Sequence, residues 1–197
     1  MQAGLWSCYT LCMLVTAATN LPLSWSAPSF ELNDAYQHPF KLSEFNSFPG
    51  LLIIFISEKC PVATYVWPAV NKLHENFKRQ VAFLAINSLA DERDHIESLT
   101  AMKKTIELYQ LNFPYLADSN QKVTHQYQVQ CLPDFYLFKN EGNHNFALQY
   151  HGRLNDNYNH PELVSDESLK QALLRQRSSL TPLMYQKPAQ GCPLFTS

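Results

Sequence analysis

Glycine is scarce in this 197-residue chain: five glycines stand against twelve prolines, and they are scattered. A glycine-rich phosphate-binding loop is therefore excluded. Charge of one sign is also missing, with 15 Lys and Arg against 17 Asp and Glu and a formal net charge of -2. There is no basic stripe, so neither nucleic acid nor an anionic membrane surface is an expected partner. The seven histidines, His38, His74, His95, His125, His144, His151 and His160, show no metal-ligand spacing. Cysteine is scarce as well, with five in the whole sequence. Internal repeats and linkers are absent too, so the length accommodates one ordinary domain plus a leader.

The leader is itself marked by an absence. No Asp, Glu, Lys or Arg precedes Glu31, and Leu11–Ala18 is a short apolar run followed by Pro22 and the small residues Ser24 and Ser26. That run is shorter than the ~20 residues a spanning helix needs. The layout predicts a secretory signal peptide over residues 1–26, cut between Ser26 and Ala27, and hence a periplasmic or secreted protein. The n-region lacks the usual Lys or Arg, which keeps an uncleaved N-terminal anchor as the alternative. Cleavage would remove Cys8 and Cys12 and leave Cys60, Cys131 and Cys192. Three cysteines in an oxidising compartment point to a redox or reactive role rather than to a scaffold.

With 46% hydrophobic and 13% aromatic residues, the chain has the material for a core. Leu51–Ile56 and Val81–Asn87 are apolar runs of the kind found in strands buried on both faces. The first ends in Ser57-Glu58-Lys59-Cys60-Pro61. Proline favours the first helical position, which places Cys60 at the N-cap of a helix running to about Phe77, with Pro68 inside it. Asp91–Gln110 reads as a second helix, Phe113–Leu116 as a short extended piece and Val123–Tyr127 as a short helix. Asp134–Phe138 and Phe146–Tyr150, around a turn at Gly142, read as an antiparallel hairpin. A last helix is expected after a Ser165 cap, and residues 181–197 form a proline-rich, irregular tail. Alternating strands and helices followed by a hairpin give an α/β fold over residues 27–180, a central mixed sheet with helices on both faces.

Cys60 carries the chemistry of this reading. A cysteine at a helix N-terminus, past the end of a buried strand, meets backbone N–H groups and the positive end of the helix dipole. Both stabilise the nucleophilic thiolate. Lys59 would add to this and Glu58 would oppose it. The plain alternative is a buried structural cysteine.

In the Phe55-x4-Cys60-Pro61 junction, Pro68, the segment Cys131-Leu132-Pro133-Asp134-Phe135-Tyr136-Leu137-Phe138, the segment Tyr150–Asn157 and the pair Gly191-Cys192, the chain resembles the thioredoxin-like superfamily. It is most similar to the redoxin, or alkyl hydroperoxide reductase/thiol-specific antioxidant, branch. The resemblance covers about Phe30 to Cys192. It implies a thiol-dependent oxidoreductase that reduces peroxides or protein disulfides with Cys60 as nucleophile and is regenerated by an external thiol reductant. It also implies that Pro133 is a cis-proline facing Cys60, that Cys131 approaches Cys60, and that a Cys60–Cys131 disulfide can form. Cys192 or an external thiol remain alternatives for that resolving step, and Cys131 as a packed residue is the plain reading.

The departures from the family are specific. Ala63 stands where a dithiol protein has its second cysteine, which excludes CxxC exchange. Ser57 fits the Thr/Ser position of a peroxidatic site, but Ile53 replaces the proline before it, and the usual arginine is absent from the cis-proline position. Arg153 would then have to supply the positive charge from the next strand, or else be solvated at a strand end. A non-catalytic binding module that keeps the fold is the rival reading, and a copper site formed by Cys60, Cys131 and His151 is a third. No cofactor is implied, and the oligomeric state is not legible.

Overall fold

The run Gly50–Ile56 is apolar at every position because both of its faces are covered. In the structure, a computed structural model describing residues 15–16, 21–158 and 160–194, this run is a central strand flanked on both sides. Leu52 and Ile54 point into one core with Val66, Trp67, Val70, Phe83 and Leu169. Leu51, Ile53 and Phe55 point into the other with Leu84, Tyr127, Tyr136 and Phe138. The side-chain period of two in a strand thus divides one apolar run between two layers.

In chain order the strands are β1 (Val15–Thr16), β2 (Glu31–Asp34), β3 (Pro39–Lys41), β4 (Gly50–Ile56), β5 (Val81–Asn87), β6 (Tyr115–Ala117), β7 (Cys131–Leu132), β8 (Asp134–Asn140), β9 (Phe146–Gly152) and β10 (Gln190–Pro193). The helices are α1 (Ala63–Phe77), α2 (Leu99–Tyr109), α3 (Lys122–Gln126) and α4 (Ser168–Arg177). Seven strands form the main sheet in the order β3-β2-β6-β5-β4-β8-β9. β4 runs parallel to β5 and antiparallel to β8, and β8 and β9 form the expected hairpin. The small sheet β1-β10-β7 lies apart from this ladder. The architecture is the thioredoxin-like α/β arrangement that the element order implies.

Four local expectations are corrected. Helix α1 starts at Ala63 with Val62 as its N-cap, so Cys60 sits in the turn before the helix and not at the cap itself. The residues from Asp91 to Ser98 are turns, not helix. Asp91 and Asp94 accept the amides of Arg93 and Ile96 two residues on, the local bonding that competes with helix, and Ser98 caps α2 instead. Ser165 does not cap α4. Its hydroxyl and its amide both go to Asp156, and Glu167 occupies the N-cap. Finally, the tail is not irregular throughout, because Gln190–Pro193 is a strand.

The segment around the expected cleavage point runs along β9. Ser24 N–H donates to Leu148 O at 2.9 Å and Ala27 N–H to Phe146 O at 2.9 Å, while Trp25 packs on Tyr127 and Phe138. The rest of the leader, apart from β1 and the residues from Leu21 onward, lies outside the described residues, as do Cys8 and Cys12. Among the described residues no helix is long and apolar enough to cross a membrane.

Candidate functional site

β4 delivers the chain to Ser57, which is buried, and a tight turn follows. Cys60 N–H donates to Ser57 O at 3.3 Å, and Cys60 O accepts Ala63 N–H at 3.0 Å. Pro61, with no N–H of its own, is exposed at the outside of this turn. The result is a nucleophile candidate that is only 3% exposed at the mouth of α1.

One buried side chain holds the turn in place. The Glu97 carboxylate, 1% exposed, accepts the N–H groups of Glu58 at 3.1 Å and Lys59 at 2.9 Å, and the Asn87 amide at 2.9 Å. The Lys59 ammonium bonds Asp94, so its charge is engaged by a carboxylate beside the turn. The Glu58 carboxyl accepts Thr105 Oγ1 at 2.6 Å and Tyr115 OH at 2.9 Å. Burial raises the Glu58 carboxyl above its ordinary range, against the opposing pull of those two hydroxyls. Nothing in the sequence marks Glu97, which lies 38 residues from Lys59 in a stretch that reads as helix.

The other wall of the site comes from β7. The Leu132–Pro133 peptide is cis, as the resemblance implies. Cys60 Sγ lies 3.2 Å from Leu132 O. The second sulfur at the site belongs to Cys192: Cys60 Sγ and Cys192 Sγ are 3.1 Å apart, thiols in contact rather than the ~2.05 Å of a disulfide. β10 carries Cys192 there by pairing antiparallel with β7, Cys192 opposite Leu132 and Pro193 opposite Cys131.

The electrostatics favour thiolate at Cys60. Its thiol is held below the ordinary cysteine value, first by the hydrogen bond with the Cys192 thiol. Burial opposes this, and the N–H groups of Val62, Cys192 and Ala63 reinforce it. The helix-start amides therefore act as the sequence suggests, although Cys60 is not itself the cap. The Leu132 carbonyl can only accept, so it favours the protonated form and pulls the other way.

The remaining predicted residues are placed as follows. Cys131 is buried on β7 and packs against Ala189. Arg153 donates to Asp166 at 2.7 Å and to Ser168 Oγ at 3.5 Å, an ion pair on the α4 side. His151 is buried, with Nε2 at 2.9 Å from Asp134 Oδ2 and its ring stacked 4.1 Å from Tyr136. Among the described residues no group of three or more His, Cys, Asp and Glu is arranged to hold a metal ion.

Comparison with known proteins identifies the family and the fold. The model of the AhpC/TSA family matches residues 24–144. The thiol-disulfide oxidoreductase ResA of Geobacillus kaustophilus is 28% identical over 128 residues, 64% of this chain and 69% of that protein. Two solved structures share 30% identity and a TM-score of 0.83 over 93% of this chain. They are a hypothetical protein from Sinorhizobium meliloti 1021, covered over its whole length, and an uncharacterized conserved protein from Geobacillus kaustophilus, covered over 96%.

Proposed function

Because the chain belongs to the AhpC/TSA family, we propose that it is a thiol-disulfide oxidoreductase in which Cys60 is the nucleophile and Cys192 its redox partner. One observation carries the assignment: two cysteine sulfurs from opposite ends of the domain stand 3.1 Å apart beside a cis-proline. The similarity to ResA supports the same class of chemistry.

The steps follow from thiol exchange. Cys60 thiolate attacks one sulfur of a substrate disulfide, and the other sulfur leaves as thiolate and takes a proton from solvent. Cys192 then attacks Cys60 Sγ in the mixed disulfide, releasing the second substrate thiol and closing a Cys60–Cys192 bond. The substrate gains two electrons and the cysteine pair loses two, so an external thiol reductant must return them. Ser57 and Glu97 hold the turn, and Pro61 and Pro133 frame the sulfur.

Protein disulfides fit the site better than peroxides. Peroxide cleavage needs positive charge for the departing oxygen, and Arg153 is paired with Asp166. Cys131, next to Leu132, is the remaining thiol that could resolve Cys60, and the experiment separates the two. Export also belongs to this reading, supported by the uncharged leader and its short apolar run.

The test is trapping and peptide mapping of the full chain after stoichiometric oxidised glutathione, and separately after hydrogen peroxide. A Cys60–Cys192 disulfide after glutathione, lost in Cys60→Ser, is the expected result. A Cys60–Cys131 bond would reassign the partner. Rapid Cys60 sulfenic acid with peroxide and no reaction with glutathione disulfide would move the function to peroxide reduction. Unmodified thiols in both arms would leave only the binding-module reading.

A further inference from the structure

The C-terminal strand sits where a partner would sit. β10 pairs with the edge of β7 through backbone hydrogen bonds, and Leu194 N–H extends the ladder to Gln130 O at 3.0 Å. A β-ladder is made by main-chain groups, so it accepts any extended segment, and specificity rests on the side chains at alternate positions. Here the side chain that matters is a cysteine, set by the register 3.1 Å from Cys60 Sγ. With the tail seated, Cys60 is 3% exposed.

The seat is close. A Cβ on Gly191 would lie 2.0 Å from Leu132 O, so only glycine permits this approach. Before the strand, Gln186 straps the tail to β9. Its Oε1 accepts His151 N–H at 2.7 Å, and its Nε2 donates to Gln149 O at 2.9 Å. The outer edge of β10 pairs with β1, Val15 opposite Gly191 and Thr16 opposite Gln190. Ala189 is buried against Cys131 and Leu194 packs on the second core, whereas Met184 and Tyr185, just before the strand, are 91% and 75% exposed. A segment paired through main-chain bonds can exchange with another segment offering the same bonds.

We propose that the C-terminal strand is an intramolecular stand-in for substrate. It occupies the Cys131–Leu132 edge in the resting protein, and an extended, cysteine-bearing segment of a disulfide-bonded partner protein replaces it there before Cys60 attacks. This rests on the disulfide-exchange reading above and adds to it the class of substrate and the element that controls access. In sequence, the tail leaves, the partner segment pairs with β7, and Cys60 forms a mixed disulfide with the partner's cysteine as the partner's other sulfur departs as thiolate. The tail then returns, and Cys192 displaces the partner thiol. The tail is thus both gate and resolving arm.

The test uses the full chain and a hexapeptide of the tail's own sequence, residues 189–194, activated at its cysteine as a thionitrobenzoate mixed disulfide. Release of thionitrobenzoate reports attack by Cys60. In a Cys192→Ser background, Gly191→Ala unseats the strand and is expected to raise the second-order rate with the peptide at least tenfold. Gln186→Ala should act in the same direction without placing a new atom against β7. The same peptide with serine for cysteine should slow the reaction of the Gly191→Ala protein when added in excess. Equal peptide rates with and without both tail substitutions would overturn the proposal while leaving disulfide exchange intact. No release from any variant would overturn both.

Discussion

The Glu97 carboxylate accepts the backbone N–H of Lys59 at 2.9 Å, and through its second oxygen it also holds Glu58 N–H. The two peptide groups immediately before Cys60 are therefore fixed by one buried side chain from a distant turn. This makes Glu97 a positioning residue: it touches no reacting atom but sets where the Cys60 sulfur stands. Glu97→Ala removes the acceptor of three donors. Leaving such donors buried and unpaired costs ~1–3 kcal/mol each, less where water enters, so a stability loss of about 2–4 kcal/mol is expected in urea denaturation. Closure of the Cys60–Cys192 bond in the folded variant should slow as well. A variant that loses stability but closes the bond at the parent rate would make Glu97 purely structural.

Cys60 Sγ and Cys192 Sγ are in hydrogen-bond contact at 3.1 Å before any disulfide forms. This hydrogen bond is the largest of the influences holding the Cys60 thiol below the ordinary value. Thiolate reactivity is present above that lowered value and is lost as pH falls through it. In Cys192→Ala the pH midpoint for alkylation of Cys60 by iodoacetamide should move upward, since the side-chain hydrogen bond that favours the thiolate is removed. An unchanged midpoint would assign the effect to the Val62 and Ala63 amides instead.

Glu58 links stability to acid pH in the opposite sense from most carboxylates. Burial raises its folded-state value above the unfolded one. The folded protein therefore binds this proton more tightly, and the group's contribution is fully present below the unfolded value and is lost as pH rises through the folded one. Glu58→Gln should flatten the fall in stability across that window, measured as melting temperature against pH. A slope identical to that of the parent protein would count against the buried-acid account.

Asp134 is the hub of a second buried network. Its Oδ2 accepts Tyr136 OH at 3.0 Å and lies 2.9 Å from His151 Nε2, and its Oδ1 accepts Phe135 N–H at 3.0 Å. Asp134→Ala removes the acceptor of Phe135 N–H and the partner of His151 Nε2 in a site where Asp134 itself is 0% exposed, while Tyr136 OH keeps Tyr127 O at 2.9 Å. A loss of about 2–4 kcal/mol is expected. Asp134→Asn, which retains one acceptor oxygen, should cost less. Equal melting temperatures for the two variants would place the cost in loss of the carboxylate itself, since Asn keeps the side-chain size and one acceptor oxygen.

The sequence by itself determined the order of the core elements from β4 to α4 and singled out Cys60 as the candidate nucleophile. Continuous apolar runs at Leu51–Ile56 and Val81–Asn87 read as strands covered on both faces, as the structure shows, and the junction at Cys60-Pro61 follows the first of them. Pro133 as the cis residue came through family resemblance and holds in the structure. Local boundaries were less legible wherever side chains bond their own backbone. The Asp91 and Asp94 turns look like a helix in hydrophobic spacing, and the Ser165 hydroxyl is taken up by Asp156.

Only the tertiary structure decided which cysteine meets Cys60, which carboxylate holds its turn and what becomes of Arg153. Each of these depends on long-range placement. Cys192 reaches the site because Gly191 lets β10 lie against Leu132, Glu97 because the turns after β5 fold back on the nucleophile loop, and Arg153 turns to Asp166 because α4 brings that carboxylate to it. Periodicity records which face of an element is buried. Pairings between residues far apart along the chain leave no periodic trace, and at this site they fix the chemistry.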